Sequence, residues 1–211
     1  MIVAQLMTPN PVTVEPNDAL ELAYQKMKEG RFRQVPVVDC GKLVGILTDR
    51  DIRQYLGHLD RTNVEAAMSA LLLSVCPSTP VEQAAQLLVS SKIGSLPVVE
   101  SEKLVGIITA SDMLHALAAI LGSSADGSVR IDLDVSGSGE ISAAISLLRT
   151  VCPVLCLGTY KRKAGDQILY VRVGNSGAER AAHELARYGF KVLAVHRESD
   201  LRSANQGLHE S

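Results

Sequence analysis

Apolar residues in the first half of the chain follow a helical spacing in two stretches that resemble each other. The first stretch is predicted to begin a helix at Asp18, because Glu21 three residues later completes a capping-box pattern. The second is predicted to begin at Thr79, with Glu82 in the equivalent place and Pro80 at the first helical position. The apolar positions with helical spacing are Leu20, Ala23, Tyr24 and Met27 in the first stretch and Val81, Ala84, Ala85 and Leu88 in the second.

Each predicted helix is followed by a pair of strands and then by a second helix. A turn at Gly41 joins the first pair of strands, and the second helices begin after Thr48 and after Thr109. The unit that is predicted twice is therefore strand, helix, strand, strand, helix. The predicted strands are Gln34–Val38, Leu43–Leu47, Leu96–Val99 and Leu104–Ile108.

These two stretches belong to an internal repeat with a constant offset of 61 residues. Residues 35–51 and 96–112 are identical at ten of seventeen positions without a gap, and the same offset pairs Met7 with Met68. Two copies are too few for a solenoid, so we expect a closed, pseudo-symmetric pair.

The pattern changes after the second copy. Residues 123–128 are rich in Gly and Ser and are predicted to be a linker. From Val129 onward apolar residues alternate with Arg130, Asp132 and Asp134, which predicts a half-buried strand. The whole segment predicts the order βαββαβ, the ferredoxin-like arrangement, so the fold class is α/β (α+β). The predicted domains are 1–61 for the first copy, 62–122 for the second copy, 129–198 for the βαββαβ domain and 199–211 for a polar tail.

Composition and charge argue against several classes of protein. Of the 211 residues, 46% are hydrophobic and 21% are charged, which is typical of a globular protein with a core. The net charge of −2 and the aromatic content of 3% argue against nucleic-acid binding, which needs a basic surface or stacking platforms. No apolar run reaches the roughly 18 residues of a membrane span, and no secretory signal is visible, so we expect a cytoplasmic protein.

The cysteines and histidines form no pattern typical of a metal site or a catalytic centre. Cys152 and Cys156 are separated by three residues and have no neighbouring histidine, so we expect reduced thiols and no metal. None of the five histidines lies in a nucleophile or metal motif, and there is no P-loop lysine. We therefore expect no catalytic residues and no catalytic cofactor.

The repeated segment resembles the CBS domain, which occurs in tandem pairs. The signature of that family is an apolar-Pro-Val-Val segment followed by Gly-x-x-Thr-x-x-Asp, which Gly45–Asp51 and Gly106–Asp112 both match. The openings at Met7 and Met68 also fit. The resemblance implies that an adenosine-containing nucleotide (AMP, ADP, ATP or S-adenosylmethionine) binds between the two copies as a regulatory ligand.

The resemblance suggests roles for the motif residues, and their chemistry is compatible with these roles. Asp51 and Asp112 are expected to accept hydrogen bonds from the ribose cis-diol, while Thr48 and Thr109 reach the sugar or the first phosphate. Free N–H groups at the start of each second helix favour an anion. The Thr-x-x-Asp pattern is also a helix-capping pattern, so both residues could instead serve the fold alone.

Residues beside the two motifs are expected to hold the adenine and the phosphates. Arg33 and Arg50 lie next to the first motif, where the second motif has Gly94 and Ser111. Because guanidinium groups bind phosphate bidentately, we expect better phosphate recognition near the first copy, unless these arginines are ordinary solvated residues or reach across the pseudo-twofold axis. The expected adenine slot has the pairs Val35-Pro36 and Leu96-Pro97 as walls, with Thr13 and Val75 near it.

The C-terminal segment resembles the ACT domain, a βαββαβ regulatory module. The resemblance implies a small effector, often an amino acid, near Gly137, Gly139 and Glu140. The alternatives are that these glycines only form a tight turn and that the edge strands pair between subunits. A CBS pair followed by an ACT-like domain is similar to the acetoin-utilisation family of bacterial proteins.

The sequence thus predicts a non-catalytic regulatory protein that acts on an unidentified partner protein. Nucleotide binding would shift the relative disposition of the two copies, and the C-terminal module would relay that change. The alternatives are an interaction scaffold with a vestigial cleft and an accessory subunit in acetoin metabolism. We also expect a homodimer formed through the second helices, whose apolar faces contain Ile52, Tyr55, Leu56, Met113, Leu117 and Leu121.

Overall fold

The computed structural model divides the chain into two compact units, Met1–Ala116 and Leu117–Ser211. Of the predicted linker only the last two residues are described, and Gly137, Gly139 and the polar tail lie outside the described residues. No described helix combines the length and the apolar character that crossing a bilayer requires. The residues that the structure describes are 1–70, 73–122, 127–136, 140–162 and 165–197.

The first unit contains both copies of the repeat, and the predicted helices and hairpin strands are present with bounds close to those expected. The strand predicted to open the second copy is wrong for the described residues, where Ser69 and Val75 form only isolated bridges. Short 3-10 helices precede each copy's first long helix. The last turn of the helix that ends the second copy, from Leu117 to Ile120, falls in the second unit. In chain order the elements are β1 (Thr8–Pro9), α1 (Leu20–Gly30), β2 (Gln34–Asp39), β3 (Lys42–Thr48), α2 (Asp49–Arg53), α3 (Val64–Ala67), α4 (Val81–Ser91), β4 (Ser95–Glu100), β5 (Lys103–Thr109) and α5 (Ala110–Ile120).

Helices α1 and α4 begin one residue later than the capping pattern predicts. Asp18 and Thr79 each accept a hydrogen bond from the backbone N–H three residues earlier, at 2.8 and 3.1 Å. The residues that directly precede the helices, Ala19 and Pro80, make no side-chain cap. The predicted capping boxes are therefore wrong, because the oxygens that would cap the helices close the preceding turns instead.

The strands of both copies form a single antiparallel sheet with β1. Each copy contributes a hairpin, β2 with β3 and β4 with β5, and β5 also pairs with β1. The hairpins meet where β3 and β5 begin, with Lys42 opposite Lys103. The two copies are thus joined through their backbones as well as through their side chains.

The segment that opens each copy packs into the core of the other copy. Val3 is completely buried in the core of the second copy, and Val64, its equivalent at the offset of 61, is completely buried in the core of the first. The N–H of Val3 donates to the carbonyl oxygen of Thr79 at 2.9 Å, and the N–H of Val64 donates to that of Asp18 at 2.9 Å. Neither core is complete without this exchange.

Gly45 and Gly106 are needed because a methionine packs on each of them. A Cβ atom at Gly45 would lie 2.5 Å from Sδ of Met68, and one at Gly106 would lie 2.5 Å from Sδ of Met7. In both cases the glycine belongs to one copy and the methionine to the opening segment of the other copy. Methionine and glycine therefore recur at the offset of 61 because the same contact between the copies is made twice.

Gly45→Ala and Gly106→Ala are each expected to lower the free energy of unfolding by about 1–3 kcal/mol, because the methionine must leave a packed position. Gly57→Ala is the matched control, since a Cβ there would meet nothing within 4 Å. That control is expected to be neutral or slightly stabilising. Denaturant unfolding measures all three variants, and equal stability among them would contradict the role of the methionine contact.

The apolar faces that were expected to form a dimer belong in part to the core. Ile52 is completely buried in the first copy, and Met113 packs against the core of the second. The five-residue helix α2 lies on its own copy, so Ile52 is not available to another subunit and its assignment to a dimer face is wrong. Leu56 and Leu117 remain exposed, and the homodimer stays a prediction.

The second unit has the order βαββαβ that the sequence predicts. Its strands form one antiparallel sheet in the order β7, β8, β6, β9. Both helices cover the same face, where Val129 and Ile131 of β6 pack with Leu148 of α6 and Leu185 of α7. The elements are β6 (Ser128–Asp134), α6 (Glu140–Val151), β7 (Val154–Lys161), β8 (Gln167–Gly174), α7 (Ala178–Arg187) and β9 (Lys191–Arg197).

Asp132 is buried on the opposite face of β6, which corrects the prediction of a half-buried strand. Its side chain is 7% exposed and accepts two hydrogen bonds from Arg130, at 2.7 and 3.1 Å. The guanidinium of Arg130 lies 5.0 Å from the ring centre of Tyr170, and Nε2 of His196 lies 3.5 Å from the carboxylate. Because β6 is a central strand, side chains of its neighbours cover a position that alternation assigned to solvent.

The last turn of α5 is held by side chains of the second sheet. The thiol of Cys156 donates to the carbonyl oxygen of Ile120 at 2.7 Å, and Nε of Arg172 donates to that of Leu121 at 3.1 Å. Arg172 also donates to the hydroxyl of Ser128 at 2.8 Å. One arginine thus binds both Leu121, which precedes the predicted linker, and Ser128, the last residue of that linker.

Candidate functional site

The motif of the first copy forms a complete helix cap. The backbone N–H and the hydroxyl of Thr48 both donate to Oδ2 of Asp51, at 2.8 and 2.7 Å. The N–H of Asp51 in turn donates to the threonine hydroxyl at 3.4 Å. The capping role that the sequence left open is therefore present, and the hydroxyl proton of Thr48 is already used.

The motif of the second copy has the same geometry. The N–H and the hydroxyl of Thr109 donate to Oδ2 of Asp112, both at 2.8 Å. Among the described residues, no hydrogen bond reaches the other carboxylate oxygen of Asp51 or Asp112. Both carboxylates are half-buried, so each keeps one oxygen that can accept from a ligand while the other holds the cap.

The backbone places the segment before each hairpin beside its motif. The N–H of Asp49 donates to the carbonyl oxygen of Arg33 at 2.9 Å, and the N–H of Ala110 donates to that of Gly94 at 3.0 Å. Arg33 therefore lies next to the Thr48–Asp51 motif, as the sequence predicts. Arg33 and Arg50 are exposed, whereas Arg53 pairs with Asp49 at 3.1 Å.

The residues expected to line the adenine slot lie together in the backbone, but their side chains are buried. Val14 N–H donates to the carbonyl oxygen of Pro36, which places Thr13 beside β2, and the equivalent bond joins Val75 to Pro97. The side chains of Val35 and Leu96 are completely buried in the cores of their own copies. Their assignment as exposed walls is therefore wrong, because both side chains face the cores, and the two adjacent prolines are also buried.

A polar contact between the copies was not predicted from the sequence. The hydroxyl of Ser95, a residue 3% exposed, donates to Oε1 of Gln34 at 2.6 Å. A Cβ atom at Gly94 would lie 2.5 Å from Nε2 of the same glutamine. The sequence does contain a signal for this contact. Gln34 and Ser95 occupy equivalent positions at the offset of 61, and one side chain is long where the other is short.

Few of the residues expected to bind an effector in the second unit are described. Glu140 is the first residue of α6. On the other side of residues 137–139, which are not described, Asp134 accepts hydrogen bonds from the hydroxyl of Ser136 and from Lys191, which lower the pKa of this carboxyl to about 2. The carboxylate of Asp134 is thus already paired with a lysine.

An open groove of about 640 Å³ lies elsewhere in the second unit, between the end of α6 and the start of β7. The sequence did not indicate this groove. No cluster of three or more potential metal ligands occurs among the residues that the structure describes. The residues that line the groove are Ile145, Arg149, Thr150, Val151, Cys152, Pro153, Val154 and Leu157.

The profile of the CBS domain matches the chain twice, at residues 3–58 and 64–119. The chain belongs to the CBS domain family. The curated protein YhcV of Bacillus subtilis, described as CBS domain-containing, is 38% identical over 114 residues, which is 53% of this chain and 81% of YhcV. L-aspartate semialdehyde sulfurtransferase of Methanosarcina acetivorans is 34% identical over 119 residues, but the match spans only 24% of that enzyme.

Solved structures of CBS domain pairs have the same fold over this part of the chain. The Vibrio cholerae protein AcuB, whose name refers to acetoin utilization, is 32% identical with a TM-score of 0.54, and the match covers 59% of this chain and 95% of AcuB. CBSX2 in complex with AMP is 31% identical with a TM-score of 0.52, covering 56% and 97% of the two chains. The CBS pair of MJ0100, solved with 5′-methylthioadenosine and S-adenosylmethionine, is 26% identical with a TM-score of 0.52 and the same coverage.

Proposed function

We propose that this protein is a regulator that binds an adenine nucleotide or S-adenosylmethionine between its two CBS copies. The single observation that supports this best is the pair of half-buried carboxylates, Asp51 and Asp112, each with one oxygen held in a cap and one left to accept. Similar CBS pairs have been solved with AMP and with 5′-methylthioadenosine and S-adenosylmethionine. The likeness in fold makes an adenosine derivative the ligand class that we assign to this chain.

The proposal gives each motif residue a role that its geometry permits. Asp51 and Asp112 accept from the ribose hydroxyls, while Thr48 and Thr109 orient these carboxylates through the cap bonds. Since the threonine hydroxyls already donate to the carboxylates, the phosphate is bound by Arg33 and Arg50 in the first instance. The adenine lies against the backbone near Thr13, Pro36, Val75 and Pro97, supported from the core by Val35 and Leu96.

The nucleotide acts as a regulatory ligand and not as a substrate. Ligand binding changes the relation of the two copies through differential affinity for two arrangements, and the second unit responds to that change. The second unit is an ACT-like module that serves dimerisation or binds an amino-acid effector near Gly137, Gly139 and Glu140. The regulated partner is another protein in the cytoplasm.

Calorimetric titration of the full chain with AMP, ADP, ATP and S-adenosylmethionine tests the proposal. We expect saturable binding of at least one of them below the millimolar range, with a stoichiometry of one or two per chain. Inorganic phosphate and guanosine monophosphate serve as controls for the phosphate and for the base. Silence for all adenosine ligands up to millimolar concentration would overturn the proposal.

An interaction scaffold with a vestigial cleft is the competing function. The observation in its favour is that the Thr-x-x-Asp residues form helix caps in both copies. A role as an accessory subunit in acetoin metabolism is favoured only by the likeness to AcuB. Calorimetric silence would support the scaffold, and a change in the activity of an acetoin-metabolising enzyme on addition of this chain would support the accessory role.

A further inference from the structure

The two motifs are surrounded by different charges although their caps are the same. Arg33 and Arg50 flank the first motif, and neither forms an ion pair within the described part of the chain. Their equivalents at the offset of 61 are Gly94 and Ser111. Two exposed cations therefore stand beside Asp51, and their equivalents beside Asp112 carry no charge.

Packing maintains this difference between the two motifs. The amide of Gln34 occupies the space that a side chain at position 94 would enter, with only 2.5 Å between Nε2 and a Cβ at that residue. The glutamine is fixed by the bond from Ser95, whose side chain is buried. An arginine at position 94 would therefore have to displace a contact that joins the two copies.

The exposed positions on the helix of the second motif are also uncharged. Ala110, Ser111 and Leu114 stand where the first motif has Asp49, Arg50 and Arg53, and Leu114 is 66% exposed. A phosphate next to these residues would lose water without gaining a charged partner, which is unfavourable. An uncharged substituent on the 5′ carbon of a nucleoside has no such cost and can contact the leucine.

We propose that the two motifs bind different classes of adenosine derivative. The Asp51 motif takes a 5′-phosphorylated adenosine, and the Asp112 motif takes an adenosine without a 5′ phosphate, such as a 5′-thioether. This inference rests on the proposed function, because it assumes that both carboxylates bind ribose. It goes beyond that function in assigning the ligand class of each motif from the residues around it.

Calorimetry with AMP and 5′-methylthioadenosine on two single variants tests the inference. Asp112→Asn leaves the first motif intact and is expected to bind AMP at least about tenfold more tightly than the thioether. Asp51→Asn leaves the second motif intact and is expected to bind the thioether at least as tightly as AMP. A preference for AMP of tenfold or more in Asp51→Asn would overturn the inference and leave the proposed function standing.

Exchange of the flanking residues provides the second measurement. In the Asp112→Asn background, Arg33→Gly with Arg50→Ser is expected to lower AMP affinity about tenfold or more and to change thioether affinity less than about twofold. In the Asp51→Asn background, Ser111→Arg at its exposed position is expected to raise AMP affinity. Unchanged AMP affinity in both exchanges would overturn the inference. Absence of binding of both probes to the unmodified chain, together with silence for ADP, ATP and S-adenosylmethionine, would overturn the proposed function itself.

Discussion

Asp51→Ala and Asp112→Ala are each expected to weaken the binding of the ligand at their own motif by about 1.5–3 kcal/mol, or roughly 10- to 150-fold. Each carboxylate uses Oδ2 in the cap and has one further oxygen that can accept from a ribose hydroxyl. A hydrogen bond to a charged acceptor is stronger than one to a neutral group, so its loss has a large effect. Calorimetry of both single variants and of the double variant measures the effect, and the double variant is expected to show no binding.

The alanine variants also remove a helix cap, so folding must be controlled. Loss of a cap costs about 0.5–2 kcal/mol of stability. Asp51→Asn and Asp112→Asn keep an oxygen that accepts from the threonine and remove the charge, so they separate binding from folding. Unchanged affinity in both single alanine variants and in the double variant would refute the ribose role, provided that the variants show the thermal unfolding of a folded chain.

Local sequence patterns predicted the elements of the fold well because each copy forms its hairpin from contiguous residues. The hairpin of the first copy pairs Val35 with Leu47 over a short loop, so alternation and the turn at Gly41 were sufficient. The recurrence of Thr48 and Asp51 at the offset of 61 offered a helix cap as one of two interpretations, and the cap is present in both copies. The order βαββαβ of the second unit followed from the same local signals.

Features that depend on distant parts of the chain could not be predicted from those patterns. Alternation assigned Asp132 to solvent, and only the position of β6 inside the sheet explains its burial. The capping pattern at Asp18 has the correct spacing, but the preceding turn takes its oxygen. The hydrogen bond between Gln34 and Ser95 joins residues 61 positions apart. Predicting it requires knowing how the two copies pack together, which local sequence patterns do not give. The difference in charge between the two motifs could be predicted from the sequence, because it requires only the alignment of the two copies.

Val3→Ala and Val64→Ala are expected to lower the free energy of unfolding by about 2–3 kcal/mol each, because both side chains are completely buried in a core. The more specific expectation concerns which strands lose protection from hydrogen exchange. Val3 belongs to the first copy and packs in the core of the second, whereas Val64 belongs to the second copy and packs in the core of the first. Hydrogen exchange should therefore increase in β4 and β5 for Val3→Ala and in β2 and β3 for Val64→Ala.

The exposed neighbours of these valines give matched controls. Ala4→Ser and Glu65→Ala alter equivalent positions of the same two segments without touching a core, and they should leave stability within about 0.5 kcal/mol. If each valine variant instead increased hydrogen exchange in the strands of its own copy, the exchanged packing would be contradicted. If the expected crossed pattern appears, each copy depends on the other for its core, and a ligand that moves one copy must then strain the packing of both.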